Sequence, residues 1–185
     1  MSLLLFGMAL FFTAHLFPRL RTVRAGMIDR VGAGPYKIGY TAVSLVGLIV
    51  IILGYQQAPF TPVYEPASNG RAIAHALMPF AFILLAGANM KSNLKRYVRH
   101  PMLWGVLLWA ATHLSANGDL ASVILFGGFG LYAAVSMILT SAATPTVPPP
   151  QQPQRKDLIL IVAGVVAYAV VMWAHGAVFG VYVVG

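Results

Sequence analysis

Histidine is the residue type that could carry most of the chemistry in this sequence. The chain has five histidines and no cysteine, which excludes thiolate metal sites, disulfides and a cysteine nucleophile and leaves imidazole as the strongest metal ligand. The four acidic residues are too scattered for a paired-carboxylate hydrolase. A metal or iron cofactor held by imidazole is therefore the chemistry to test. The five residues are His15, His75, His100, His113 and His175.

Two of these residues, His100 and His113, stand at the two ends of one long apolar segment. On a helix they fall on different faces, and His113 shares its face with Trp109 and Met102. Aromatic and thioether side chains around an imidazole suit haem, a flat apolar macrocycle for which histidine is a common axial ligand. Two plainer interpretations stay open. The stripe could be ordinary helix packing, or each histidine could be a neutral residue that hydrogen-bonds between helices.

The composition indicates that the elements carrying these histidines lie in a lipid bilayer. The chain is 59% hydrophobic and 9% charged, whereas roughly 25% of the residues in a soluble domain are charged. The net charge of +8 does not indicate nucleic acid, because no charged segment is long enough to form a basic face on a soluble module. We expect an all-α integral membrane protein, a six-helix bundle that forms a single domain over residues 1–185. A span needs about 20 residues, and the predicted spans are 2–20, 38–55, 72–90, 101–117, 120–142 and 158–184.

The distribution of lysine and arginine predicts how the spans are oriented. Of the 12 basic residues, Arg71 alone falls on one side of the predicted bundle, and all others fall on the opposite side. The positive-inside rule therefore places both termini on the outer side of the membrane. Also on that side, Asn117-Gly118-Asp119 predicts a tight turn with a positive φ at Gly118. On the inner side, the proline-rich segment 144–157 predicts an extended, mobile linker.

Depth in the bilayer separates the five histidines. His75 and His113 share the outer half of the membrane, and His175 falls there or near the middle. By contrast, His15 lies near the inner end of its span, and His100 lies at the inner boundary. An iron bound by two imidazoles needs both ligands at one depth, so depth favours His75 as the partner of His113.

Three further residues are predicted to surround a haem at this depth. Trp109, one turn before His113, is predicted to form part of the pocket wall. Arg71 and Asn117 lie at the outer rim, where they could bind the haem propionates through charge-assisted hydrogen bonds.

A series of motifs runs through the fourth span and the turn behind it: Arg99-His100-Pro101, Trp104-Gly105, Trp109, His113 and Asn117-Gly118-Asp119. This series resembles the NnrU family of bacterial integral membrane proteins, which is similar to the plastid 15-cis-zeta-carotene isomerase. The resemblance implies a b-type haem held by His15 and His113 in a bacterial inner-membrane protein. In such a membrane, the positive-inside rule places both termini in the periplasm. It also implies a redox-linked isomerase activity or a role in nitrogen-oxide metabolism and denitrification, with a lipid-soluble or small gaseous substrate.

A second resemblance rests on Arg99-His100-Pro101 and the apolar helix behind it. This motif is similar to one in the phospholipid and isoprenylcysteine carboxyl methyltransferases, which use S-adenosylmethionine. Those enzymes continue with an acidic cytosolic tail, whereas this chain continues after its fifth span with P-P-P-Q-Q-P-Q-R-K. A membrane methyltransferase and a non-catalytic accessory factor are the alternatives to a haem protein.

Overall fold

The computed structural model describes residues 1–143 and 147–183, and within them the chain is all-α, as predicted. A 3₁₀ turn, Phe17–Arg19, follows the first helix, and Pro62 and Asp119 form an isolated β-bridge. The α helices of the described residues are α1 (Ser2–Leu16), α2 (Arg21–Val31), α3 (Ala33–Gln56), α4 (Gly70–Gly87), α5 (Leu94–Tyr97), α6 (Pro101–Ala116), α7 (Leu120–Ala143) and α8 (Gln154–Phe179).

Five segments of the described chain are long and apolar enough to cross a membrane: α1 with its 3₁₀ turn, α3, α4, α7 and α8. The predicted fourth span, α6, has 16 residues and covers about 24 Å, less than a hydrocarbon core of roughly 30 Å. An all-α membrane protein is thus confirmed, and the sixth crossing stays a prediction. Large exposed apolar side chains on these helices, such as Leu131 and Trp173, fit contact with lipid.

The helix bounds differ from the predicted spans at several points. The helix α2 was not predicted, and α3 begins five residues earlier than expected, directly after Gly32, whose φ of 86° ends α2. The last four residues of the predicted linker 144–157 belong to α8, and α8 ends at Phe179 within the predicted span 158–184. Residues 144–146 of that linker and 184–185 of the chain lie outside the described residues.

The chain divides into two compact units, which are described separately. The first consists of residues 1–59 with 178–180, and the second contains the remaining described residues. The single domain inferred from the sequence stays a prediction.

In the first unit, α1 and α3 pack closely because glycines line their contact. A Cβ atom at Gly7 would lie 2.7 Å from the backbone nitrogen of Ile51, and one at Gly54 would collide with the backbone of Leu4. Small residues allow helices to approach this closely in membranes, where dispersion contacts drive association. The side chain of Leu4 is fully buried as a result.

In the second unit, α6 packs between α4 and α7. A Cβ atom at Gly105 of α6 would lie 2.9 Å from the side chain of Leu85 on α4. The helix α8 reaches α4 at Gly164, where a Cβ atom would lie 2.6 Å from the side chain of Ile83. The helix α6 is therefore covered on two sides, by α4 and by α7.

The loop between α3 and α4 covers the turn between α6 and α7. The backbone amides of Val63 and Tyr64 donate to the carbonyl oxygen of Gly118 over 2.8 and 3.1 Å. The Tyr64 hydroxyl donates to the carbonyl oxygen of Asn117 over 2.7 Å and also to that of Leu114. The loop thereby satisfies carbonyl groups that the end of α6 leaves without helical partners.

Gly118 does not have the positive φ that the sequence predicted. Among the described residues, Gly32 and Gly180 are the glycines with positive φ. At Gly118 the carbonyl oxygen of Tyr64 occupies the space that a Cβ atom would need. The requirement for glycine therefore comes from a close backbone approach and not from the turn conformation.

The described part of the proline-rich linker is bound to the segment between α4 and α6. The Asn93 amide donates to the carbonyl oxygen of Gln152 over 2.8 Å and to the Asp157 carboxylate over 2.7 Å, and the Gln152 backbone amide donates back to Asn93 Oδ1. Arg96 Nη1 donates to the carbonyl oxygen of Pro149 over 2.7 Å. These bonds attach the described part of the linker to the segment before α6, and its mobility stays a prediction.

Candidate functional site

His113 lies in the last turn of α6, where its orientation is set by a residue one turn earlier. Its Nδ1 lies 2.8 Å from the carbonyl oxygen of Trp109. Because a carbonyl only accepts, Nδ1 carries the proton, and the neutral ring keeps its lone pair on Nε2. Histidines that bind metals commonly donate their other ring N–H to a backbone carbonyl in this way, which fixes both tautomer and ring direction.

Aromatic rings from α6 and α7 surround this imidazole. The ring of Phe126 stacks on His113 with centroids 4.5 Å apart and an interplanar angle of 26°. The indole of Trp109 lies 5.3 Å from His113 and makes edge contacts with Phe126 at 4.8 Å and Phe129 at 5.6 Å. Stacking covers a face of the imidazole but leaves Nε2 in the ring plane, which is the direction that ligation uses. Trp109 thus lies beside His113, as the sequence predicted.

A buried contact behind His113 connects α6 to α4. The Thr112 hydroxyl donates to the carbonyl oxygen of Trp109 over 3.0 Å and lies 3.4 Å from the sulfur of Met78. Thr112 is only 2% exposed. The carbonyl group of Trp109 therefore accepts hydrogen bonds from both Thr112 and His113, which holds the last turn of α6 in one arrangement.

His75 lies on α4 at the same level of the α4–α6 pair as His113. Two contacts join α4 to α6 here: Gly70 lies against Ser115, and Met78 lies against Thr112. His75 lies between Gly70 and Met78 on α4, and His113 lies between Thr112 and Ser115 on α6. The side chain of His75 is exposed, with Nδ1 3.3 Å from the Tyr168 hydroxyl of α8.

Direct contacts do not join these two histidines. Among the described residues, no hydrogen bond or ring contact runs between His75 and His113. His75 contacts Tyr168, whose ring lies 6.0 Å from that of Phe82. His113 instead contacts the aromatic residue Phe126 of α7. The predicted pair thus shares a level but has different neighbours.

His175, on α8, was placed in the outer half by the sequence but not selected as a site residue. Its Nδ1 lies 2.7 Å from the carbonyl oxygen of Val181, which fixes its tautomer as in His113. Its predicted depth could have indicated His175 as a site residue, because the sequence places it in the outer half of the bilayer or near the middle, close to the depth of His75 and His113.

His15 lies in the first unit and repeats the local geometry of His113. Its Nδ1 lies 2.8 Å from the carbonyl oxygen of Phe11, one turn earlier on α1. The two rings stack with centroids 3.9 Å apart, and the ring of Tyr40 on α3 lies 5.6 Å from His15. Both histidines that the family resemblance implies as ligands are therefore oriented by the carbonyl group of an aromatic residue at position i−4.

The two predicted propionate-binding residues differ in what they contact. The Asn117 side chain donates to the carbonyl oxygen of His113 over 2.9 Å, so it caps α6. Arg71 is exposed in the first turn of α4, and its guanidinium has no hydrogen bond or ion pair with the described residues. Arg71 is therefore available to an external anion, whereas Asn117 already has a structural role.

The other motif residues of α6 and α7 hold the helix ends. His100 Nε2 lies 2.9 Å from the Ser141 hydroxyl, and Arg99 Nη2 donates to the Ser141 carbonyl oxygen over 3.1 Å. At the opposite end, the Asp119 carboxylate accepts from the Ser122 amide over 3.0 Å and from its hydroxyl over 2.6 Å, which caps the start of α7. The bonds to Ser141 join the start of α6 to the end of α7, and the bonds to Asp119 cap α7 itself.

Tyr64 is a residue that the sequence reasoning missed. Burial of its phenol, together with the nearby Asp119 carboxylate, raises the pKa of Tyr64. The hydroxyl therefore stays protonated and continues to donate to α6 at neutral and mildly basic pH. A tyrosine in a proline-rich loop gives no periodic signal, so its contact with the end of α6 could not be predicted.

The described residues contain no group of three or more His, Asp or Glu side chains that could hold a metal ion. A haem needs a different arrangement, in which one or two imidazoles from separate helices supply axial ligands. That arrangement fits the fixed tautomer of His113 and its aromatic surroundings. It also fits the guanidinium of Arg71, which has no partner among the described residues.

Comparisons with known proteins agree with the motif resemblance. A family model described as "NnrU protein" matches residues 3–183. No curated protein and no solved structure matches the chain.

Proposed function

The chain belongs to the NnrU family, and we propose that it is a haem-b-binding membrane protein in which His113 is an axial ligand. One observation carries this proposal. The Nδ1–H of His113 is bound to the Trp109 carbonyl oxygen, so Nε2 remains as the ligating atom and the ring cannot turn without losing that bond. The last turn of α6 thus presents a preoriented imidazole in aromatic surroundings.

Three histidines are candidates for the second ligand, and a separate observation supports each. His75 lies at the level of His113 on the neighbouring helix. The Nδ1 of His175 lies 2.7 Å from the carbonyl oxygen of Val181, which fixes its tautomer as in His113. His15 has the same Nδ1 geometry as His113 and is the ligand that the family resemblance favours.

The surrounding residues would hold the cofactor through contacts of two kinds. Trp109 and Phe126 supply apolar ring surface beside His113. Arg71, at the start of α4, supplies a positive charge that has no partner among the described residues, and it would bind a propionate.

A bound haem would supply one-electron redox chemistry and, where one histidine ligand is released, a coordination position for a small ligand. The chain itself contributes an apolar environment that excludes water, with lipid on its outer surface. We propose that the substrate is lipid-soluble or a small gas, in a redox-linked isomerisation or a step of nitrogen-oxide metabolism. The proposed location is the bacterial inner membrane, with both termini periplasmic.

The methyltransferase alternative depends on Arg99 and His100. Both residues bind Ser141 at the end of α7, which accounts for the Arg99-His100-Pro101 motif through packing. Saturable binding of S-adenosylmethionine that is lost when either residue is replaced would support the alternative. A non-catalytic accessory factor would bind neither haem nor S-adenosylmethionine.

Replacement of single histidines tests the ligand assignment. His113→Ala, purified from haem-replete cells, should lose the Soret band, and added imidazole should restore it by filling the position of the missing side chain. His100→Ala is the matched control and should keep the band, because His100 lies at the opposite end of α6. Among His15→Ala, His75→Ala and His175→Ala, one variant should change the band from a two-histidine to a one-histidine spectrum. A normal spectrum in His113→Ala would contradict the assignment.

A further inference from the structure

A shallow cavity of about 290 Å³ lies where α6 begins, at the opposite end of this helix from His113. Basic and apolar residues line it together, and none of the lining residues is acidic. The basic residues are Lys95 of α5 and Arg99, with His100 beside them, and the apolar residues include Met102 and Leu103.

The neighbouring hydrogen bonds determine which charges face this cavity. Arg96 is bound to the carbonyl oxygen of Pro149 in the linker, and Asp157 is bound to Asn93. Lys95, which lies between Asn93 and Arg96 in the sequence, has no hydrogen bond or ion pair with the described residues and is exposed. The linker therefore binds the side chain of Arg96, whereas the ammonium group of Lys95 stays available to an external anion.

The surface next to the cavity is apolar. Met102 is 46% exposed and Trp104 is 49% exposed on the first turn of α6, and Tyr97 is 84% exposed at the end of α5. Exposed aromatic residues beside basic ones are typical of the boundary between headgroups and hydrocarbon. A ligand that fits this surface has an anionic head next to an apolar tail.

We propose that this cavity binds the phosphodiester headgroup of an acidic phospholipid. Lys95 and Arg99 contact the phosphate, and the acyl chains lie along Met102 and Trp104. Basic cavities between membrane helices on the positively charged side of a protein are suited to such headgroups. The proposal does not depend on haem, because the cavity residues lie at the end of α6 away from His113.

Native mass spectrometry of the full-length protein in detergent, titrated with dioleoylphosphatidylglycerol, tests the proposal. The wild type should bind this lipid, and Lys95→Gln should weaken binding about fivefold, the change expected from one basic residue near a lipid phosphate. Lys91→Gln removes the same charge from the same segment between α4 and α6 but outside the cavity, and it should leave the affinity unchanged. Lys95→Arg, which keeps the charge, should retain most of the binding.

Two further titrations identify the source of the phosphate. Dioleoylphosphatidylcholine should bind more weakly than the acidic lipid, and inorganic phosphate should not displace the acidic lipid at equal concentration. Equal affinities for the two lipids, or displacement by inorganic phosphate, would overturn the proposal. An equal loss of binding in Lys91→Gln and Lys95→Gln would overturn it as well, because binding would then follow net charge and not this cavity.

Discussion

His113 and His15 show how an aromatic residue four positions earlier orients an imidazole on a membrane helix. In both cases the carbonyl group of that residue accepts the Nδ1–H over 2.8 Å. The sequence could predict the spacing, because positions i and i−4 share a helix face. It could not predict the tautomer, which depends on the rotamer of each histidine. The contact with Phe126 was also beyond prediction, since it depends on how α7 packs on α6.

Asn117 was predicted to bind a haem propionate, but its polar groups bind the backbone and the loop at the end of α6. Its position at the outer rim suggested a propionate ligand, whereas its side chain binds the carbonyl oxygen of His113 and its own carbonyl accepts from Tyr64. Polar residues at helix ends satisfy the backbone first, and the sequence cannot distinguish that role from ligand binding.

Tyr64→Phe should destabilise the protein by about 0.5–1.5 kcal/mol, the range expected for a lost hydrogen bond. The pKa of Tyr64 is raised from 10.0 in the folded state, so its hydroxyl contributes stability below pH 10 that is lost as pH rises through the folded pKa. The advantage of the wild type over the variant should therefore be constant to about pH 10 and shrink above it. Unfolding in mixed micelles at several pH values measures this difference.

Tyr97→Phe is the control for this prediction, because the Tyr97 side chain is exposed and outside the hydrogen bonds that hold the loop. It should unfold like the wild type over the same pH range. Equal stability of Tyr64→Phe and the wild type at neutral pH would show that the loop does not depend on this phenol.

At the scale of the helices, α6 is the element that sequence patterns described least completely. Its apolar run is too short to span a bilayer alone, and the sequence suggested extension of the helix through Asn117. The helix instead ends at Ala116, and the loop before α4 completes this end with backbone hydrogen bonds. Non-helical backbone is tolerated at membrane depth where protein satisfies its polar groups.

The α1–α3 contact depends on glycine at the closest approach of the two helices. Gly54→Ala should destabilise the protein by about 1–3 kcal/mol, the usual cost of overpacking, because the added methyl group would collide with the backbone of Leu4. Gly39→Ala, on the same helix with no atom within 4 Å of the added Cβ, should be neutral or slightly stabilising. Unfolding in mixed micelles compares the two variants, and equal effects would contradict the packing account.

At the scale of the whole molecule, composition was sufficient to predict the class of fold. A charged fraction of 9% and recurrent apolar runs indicated membrane helices, and five such helices occur in the described chain. The helix α2 has no long apolar run and was therefore missed. The bonds between Asn93 and the proline-rich linker were equally unpredictable, since they join residues far apart in sequence.

The orientation in the membrane can be tested with single cysteines, because the chain has none of its own. Ser68→Cys, in the loop before α4, should react with a membrane-impermeant maleimide added to the periplasmic side. Gln151→Cys, in the linker, should react only after the membrane is permeabilised. The positive-inside rule predicts this pattern, and labelling of Gln151→Cys in intact cells would contradict it.

The presence of haem is the central claim, and the spectrum of the purified wild-type protein tests it most directly. Protein from haem-replete cells should show a Soret band, and the pyridine haemochrome assay should identify stoichiometric b-type haem. Addition of dithionite should sharpen the visible bands, as expected for iron with two histidine ligands. A colourless preparation without extractable haem, from folded protein made in cells with ample haem, would contradict the account.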